Sequence, residues 1–550
     1  MNKVFLYLKI KIVSIQWINL FLQHTYFKIQ YKKTFINKIL PRLEKIGLIN
    51  KIITSNTNQQ KIFVPYIETS FVKIFGLILV LKALQIRGAK ILILICNRGI
   101  PICERFSSKN PFGSCDYCGF INKNLIPKLG FEVIEINNYI TDSEKKEINK
   151  IAVNIANENV SHYNFHGVDI MPIVEDSLMR YYYGAKDKNS DKKIDYIKTA
   201  LISTRVAYSI DKKHNPDIIL SHMYSYSEFQ PYNVYFESLS NTPVFCIKGS
   251  AWNPNAIQFN EMDLYRNEDR YNQYLNSRSN NLLDPIERKE LYDYLGERFS
   301  GQNNEFTMHS MFDDSVEEKN ISSLRINKDK KNIFLFANIE WDVGLMDCHI
   351  LFDDLMSWIL FTIDSIKNSN EVHLYIKTHP GEMFGANTVK TVADKILDKY
   401  PTLPKNVTLI TPDYKIMPYS LFKYIDVGVV LSGTLGLEMS LKGIPVIAVG
   451  LTPYGRKGFV HEPNSCEEYV DMILSKNNSI SFDRNKLELF TYFYFIKKLI
   501  PFNLVEKYYG MNMQNIGYKI KSIKELGIGE DKYLDHICDC ILNNKTIEAW

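Results

Sequence analysis

The chain predicts an α/β protein made of two doubly wound domains that face each other across a cleft. Three observations carry this. Its 550 residues are too many for one ordinary hydrophobic core. Two separate series of β-branched runs, each run followed by helical periodicity, imply parallel sheets with helices on both faces. Between the two series lies a charged, Asn- and Ser-rich stretch, 285–330, with no long apolar run, which reads as the interdomain connection.

Taken in order, residues 1–60 read as an N-terminal helical segment. Lys3, Lys9 and Lys11 interrupt its apolar character, so it makes a poor membrane span. It also lacks a small-residue signal-peptide cleavage site. It reads either as a helix packed on the first domain or as a basic amphipathic helix at a membrane surface. The first domain, 61–284, opens with the strand KIFVPYI (61–67), a buried helix from FVKIFGLILVLKALQIRGAK (71–90) and the strand AKILILIC (89–96). INKNLIPKLG then reads as a helix and FEVIEIN as a strand. A polar helical region at 142–210 leads to the strands PDIILSH (216–222) and TPVFCIKG (242–249). The second domain, 331–480, repeats the pattern. It runs through NIFLFANIE (332–340), a helix through LFDDLMSWILFTIDSI, EVHLYIKTHP (371–380), a helix at 388–399, NVTLITP, YSLFKYIDVGVVLSG and IPVIAVG. The tail, 481–550, reads as helices.

Composition bounds the function. With 45% hydrophobic and 23% charged residues the chain is globular. Its 66 basic and 61 acidic residues leave a net charge of +5, which gives no indication of nucleic-acid binding. Nine cysteines without a secretory signal fit reduced thiols in a cytoplasmic protein.

The chemistry concentrates at strand ends of the second domain. In VVLSGTLGLEMSLKGIPVIAVG (429–450), a strand ends at Ser432 and a helix begins near Thr434. Free N–H groups and the positive end of a helix dipole suit a phosphate there. Gly433 allows close backbone approach, Ser432 and Thr434 offer hydroxyls, and Glu438 follows one helical turn later, placed to accept from ribose hydroxyls. In VHLYIKTHPGE, a strand delivers Lys377 and His379 to the same edge, and Pro380 ends it. Glu382 is placed to orient His379. FANIEWD puts Asn338, Glu340 and Asp342 at another strand end; Asn338 and Asp342 read as facing the cleft, and a helix-capping role for Asp342 stands beside that. In YGRKGF, Arg456 and Lys457 read equally as phosphate ligands or as a solvated loop.

FANIEWD, YIKTHPGE, SGTLGLEMSLKGIPVIAVG and YGRKGF, in this order, resemble GT-B glycosyltransferases, and more narrowly the bacterial capsule and surface-polysaccharide transferases that include the capsule Kdo transferases. Teichoic-acid polymerases share a similar Lys-x-His-Pro element. The resemblance covers about 330–465 well and 61–250 loosely. It implies a GT-B fold whose second domain binds a nucleotide-sugar donor and whose first binds a glycan or lipid-linked acceptor. It also implies that His379 contacts the donor phosphate as a hydrogen-bond donor or as a cation. No catalytic metal is implied. Alternative readings are a polyol-phosphate transferase, a sugar-nucleotide epimerase of the same fold, and a non-catalytic nucleotide-binding partner in a polysaccharide assembly complex. Location would be cytoplasmic, with a peripheral position at the inner membrane face as a further option.

The acceptor side offers His222 and Glu228 in LSHMYSYSEFQPY, and His166, Asp169 and Glu175 in NFHGVDIMPIVED, as candidates for a base. Tyr224, Tyr226 and Phe229 read as sugar-stacking or as packing. Cys96, Cys103, Cys115 and Cys118 form C-x6-C-x11-C-x2-C, read as a tetrahedral structural zinc site or as thiols ordering a loop.

Overall fold

A computed structural model describes residues 32–49, 60–66, 71–106, 115–158, 160–184, 191–249, 256–259, 268–300, 314–341, 348, 350–382, 390–475, 482–505 and 518–545. Asp342 and residues 1–31 of the N-terminal segment lie outside the described residues. Among those described, no helix is long and apolar enough to cross a membrane.

In chain order the strands of the first half are β1 (Lys61–Tyr66), β2 (Lys90–Ile95), β3 (Glu132–Glu135), β4 (Asn164–Phe165), β5 (Val168–Asp169), β6 (Ile218–Ser221), β7 (Val244–Gly249) and β8 (Ala256–Phe259). Those of the second half are β9 (Lys331–Phe336), β10 (Val372–Lys377), β11 (Val407–Ile410), β12 (Val427–Val430) and β13 (Val446–Ala448), followed by β14 (Ile500–Pro501). Two sheets result, with strand orders β14-β8-β7-β6-β1-β2-β3 and β11-β10-β9-β12-β13, and β4 and β5 pair as a separate hairpin. The second sheet is parallel throughout. The first is parallel from β7 to β3 and closes with antiparallel β8 and β14. Both are doubly wound, which explains strands that read as continuous apolar runs: each is covered on both faces. On β9, Ile333 and Leu335 point into one core with Trp358, while Phe334 and Phe336 point into the opposite one with Leu437 and Phe490.

The described residues of the 285–330 stretch are largely helical, over Pro285–Phe299 and Asp314–Ser323. Asp284 caps the helix Pro285–Phe299 through a reciprocal pair with Glu287. That helix packs on the tail helix Arg484–Tyr492, with Arg288 and Tyr292 both bound to Glu488. The Asn-rich composition of the stretch hid this amphipathic face, because Leu291 and Leu295 are its only wholly buried leucines. The helix read at 388–399 begins at Val392.

The tail does more than add helices. Its first part stays with the second domain, and its second part returns to the first. Ile500 and Pro501 form β14 on the edge of the first sheet, opposite Ile257 and Ala256. The helix Lys532–Leu542 packs on the helix Phe71–Ile86, and Leu534, Ile537 and Cys538 share a core with Leu77, Leu84, Phe35 and Leu43. Arg87 locks the junction, donating to the carbonyls of Ala83 (2.8 Å) and Leu526 (3.0 Å) and pairing with Asp535. Arg87→Ala strips these buried acceptors of their donor. It is expected to cost about 2–4 kcal/mol, measured as a lower urea midpoint.

Candidate functional site at the carboxyl edge of the second sheet

Strand β9 lies between β10 and β12, and Phe336 is level with Lys377 on one side and Val430 on the other. Two residues beyond that level on the three strands stand Asn338, His379 and Ser432. They leave the sheet side by side at the point where the strand order reverses, which is where open α/β sheets take their ligands. The chain turns at Gly433 with φ +93°, a left-handed conformation that favours glycine. A Cβ built there would sit 3.9 Å from the Asn338 side-chain nitrogen, so Asn338 lies against the turn. The helix Leu435–Leu441 follows, with Thr434 as its N-cap. Gly436 is demanded by packing, since a Cβ there would meet the Tyr454 hydroxyl at 2.2 Å.

His379 is exposed at this edge. Its Nδ1 accepts from the Gly381 N–H at 3.0 Å, which puts the ring proton on Nε2. Desolvation, and then the Lys377 ammonium, lower its pKa. His379 is therefore a neutral hydrogen-bond donor, not a cation. Lys377 itself is buried; desolvation lowers its pKa to about 8, opposed by the Glu317 carboxylate. It places positive charge beneath the edge instead of reaching across it.

Two carboxylates do not take the roles expected of them. Glu438 is 1% exposed and faces inward. Its Oε1 accepts from Arg298 Nε at 2.9 Å, and Arg298 also donates to the Thr434 hydroxyl at 3.0 Å. Arg298 stacks over Phe495, 4.9 Å from the ring centroid. Glu438 thus anchors the turn from below and does not meet a ribose. Glu382 does not orient His379: its Oε1 accepts from the Val392 N–H at 2.9 Å, at the start of the helix Val392–Lys399. Burial raises its pKa to about 7. Glu340 pairs with Lys395, which also donates to the Gly184 carbonyl of the first domain at 2.7 Å. Beside that bridge, Arg180 lies 4.9 Å over the Trp341 ring and Tyr183 meets Trp341 edge-on at 5.2 Å, so the domains touch where β9 ends. Arg456 is exposed, with its backbone N–H on Glu462 Oε2 at 2.6 Å, and Lys457 lies over Phe490.

The acceptor-side candidates all hold local structure. Glu228 is fully buried and accepts from the Glu104 N–H at 2.7 Å. His222, 4% exposed, packs between Tyr66 and Phe229 with centroids 5.4 and 5.1 Å away. Asp169 accepts from His162 (2.7 Å) and from the N–H groups of Tyr163 and Met171. Despite partial burial, these bonds hold its pKa low. His166 stacks on Tyr208 at 4.9 Å, and Glu175 pairs with Lys193 at 3.7 Å. Tyr226 and Phe229 are core residues, and Tyr224 donates to Glu237. Cys96, Cys103, Cys115 and Cys118 line one cavity of about 590 Å³. Among the described residues, no three His, Cys, Asp or Glu side chains are grouped to hold a single metal ion, so the arrangement is not that of the expected tetrahedral zinc.

Arg298 was not legible in advance. Its partner lies 140 residues away, and only a capped helix start at Asp284 hints at the element that carries it.

Two measurements test this geometry. Arg298→Ala leaves the buried Glu438 carboxylate uncompensated and is expected to cost about 3–5 kcal/mol by chemical denaturation, with Arg298→Met/Glu438→Leu recovering most of it. Glu382 binds its proton more tightly folded than unfolded, so its contribution is full at pH 4 and lost as pH rises through 7. Glu382→Gln keeps the acceptor for Val392 and removes that loss. Relative to wild type it should gain about 3 kcal/mol between pH 4.5 and 8, read from denaturation midpoints across pH.

Residues 258–478 match a family model described as capsule polysaccharide biosynthesis protein. A comparison with curated proteins gives no match. Among solved structures, the chain is similar to the β-Kdo 2,4 transferase KpsC of Thermosulfurimonas dismutans at 13% identity, over 51% of this chain and 79% of that one, with a TM-score of 0.32. It is also similar to a UDP-GlcNAc 2-epimerase from Neisseria meningitidis (13% identity, 75% and 90% covered, TM-score 0.22). A glycosyltransferase from Rickettsia africae gives 11% identity, 80% and 94% covered, and a TM-score of 0.27. The matched residues, 258–478, hold the whole second sheet and the turn at Ser432, so the likeness to the capsule polysaccharide biosynthesis family covers the site described above.

Proposed function

We propose that the protein is a glycosyltransferase that moves a sugar from a nucleotide-sugar donor to a surface polysaccharide or lipid-linked glycan. The observation that carries this reading is the alignment of Asn338, His379 and Ser432 at one level on β9, β10 and β12. The family match over the same sheet supports it.

In this reading the donor phosphates lie over the 432–434 turn. There they meet the N–H groups at the start of the following helix and the Nε2–H of His379. The reaction breaks the bond between the sugar's anomeric carbon and the phosphate oxygen, and forms one from that carbon to an acceptor hydroxyl, whose proton leaves to a base. Negative charge grows on the departing phosphate. A neutral donor fixed by Gly381 and a buried ammonium beneath it stabilise that charge without reorganising. Glu438 and Arg298 contribute by holding Thr434 in place.

The test is binding of CMP, CDP, UDP, GDP and their sugars to wild type and to His379→Ala, read as a melting-temperature shift. Ligand at a hundredfold excess over its dissociation constant adds about 2.7 kcal/mol to the folded state. One nucleotide should stabilise the wild type, and the shift should fall sharply in the variant. No shift with any nucleotide would remove the donor site and with it this reading.

A further inference from the structure

The first sheet has its own cluster of reactive side chains, outside the site above. Cys96 follows directly on β2, so it leaves the sheet at the carboxyl edge. Cys103 sits on the loop that follows. That loop is pinned from two sides, by Glu228 accepting from the Glu104 N–H and by the Thr199 hydroxyl donating to the Ile102 carbonyl at 2.9 Å. Cys115 and Cys118 occupy the first turn of the ten-residue helix Cys115–Asn124, three residues apart and so on one face. All four sulfur-bearing residues line the same cavity, which also receives Arg98, Arg105, Lys32 and Lys123.

We propose that this cavity holds a polynuclear iron–sulfur cluster of the four-iron type, ligated by Cys96, Cys103, Cys115 and Cys118. Three features carry it. Four cysteines from three backbone segments meet at one cavity, which is the ligand count such a cluster needs. Their spacing is not that of a single-ion site: four thiolates around one zinc, bound at about 2.3 Å, sit only about 4 Å apart, whereas among the described residues no three such side chains are grouped to hold one ion, and the cavity the cysteines border has room for a cluster. The surroundings are cationic, with four basic side chains on the wall and a helix N-terminus under Cys115, which suits a cluster whose thiolate-ligated form is anionic. Asp116 is the acidic side chain on the wall, and Arg98 answers it at 3.1 Å.

With all four corners ligated by protein, the cluster has no open iron. Its role is structural: it ties the loop after β2 to the helix Cys115–Asn124. Both lie at the carboxyl edge of the first sheet, the counterpart of the edge that carries His379.

The experiment uses the full chain, purified without oxygen and assayed for iron, acid-labile sulfide and zinc. Expected are about four irons and four sulfides per chain with broad visible absorbance. Both should fall severalfold in Cys118→Ser and stay in Cys466→Ser, a cysteine on another domain. Far-UV circular dichroism of the two variants separates a lost ligand from a lost fold. One zinc per chain and no iron would overturn the cluster in favour of a single-ion site. No metal, either as purified or after anaerobic reconstitution with ferrous iron and sulfide, would overturn it in favour of thiols that only line a loop.

Discussion

Parallel pairing on both sides of β9 is the constraint from which the rest of the second domain follows. A parallel strand needs a crossover, the crossover needs a helix, and every strand then ends on the same edge. With β9 central, the chain winds outward once toward β10 and β11 and once toward β12 and β13. The loops from β9, β10 and β12 have no helix between them and must sit together. Asn338, His379 and Ser432 meet for this reason, although 94 residues separate the first from the last.

Electrostatics at that edge come from burial more than from display. The groups at the edge itself, the exposed His379, the half-buried Asn338 and the 432–434 turn, are neutral. The charges lie underneath: Lys377 on one side, and the Arg298–Glu438 pair below the helix. A neutral donor over a buried cation attracts an anion while keeping a well-defined geometry, because neither group needs to move to meet it. A buried ion pair such as Arg298–Glu438 adds little net stability but fixes a register, here that of helix Pro285–Phe299 against the turn.

Much of this was legible in the chain. Strand ends are punctuated by Pro380 and Gly433, and β-branched runs announce β9, β10 and β12, so His379, Ser432 and Asn338 could be placed from sequence. What a side chain does at a given place was harder to see. Glu438 and Glu382 stand at helix-compatible spacing from the turn and from His379, yet both point inward, because their partners, Arg298 and the Val392 N–H, come from elements that spacing does not connect. The acceptor candidates failed for a related reason: His222 and Glu228 do leave a strand end, but Tyr66, Phe229 and the Glu104 amide enclose them. The two-residue strand β14 carries no period at all, and only pairing with β8 reveals it.

That last strand bears on how the protein is made. A ribosome releases the first domain well before residues 500–545, yet its core lacks Ile500, Phe502, Leu534 and Ile537 until they arrive. Until then the emerging domain exposes the apolar face of the helix Phe71–Ile86 and an unpaired edge at β8. The second domain has no such debt beyond the helix Arg484–Tyr492 and closes first. Translation order and folding order therefore run opposite ways, and the nascent first domain is a natural client for chaperones during the interval.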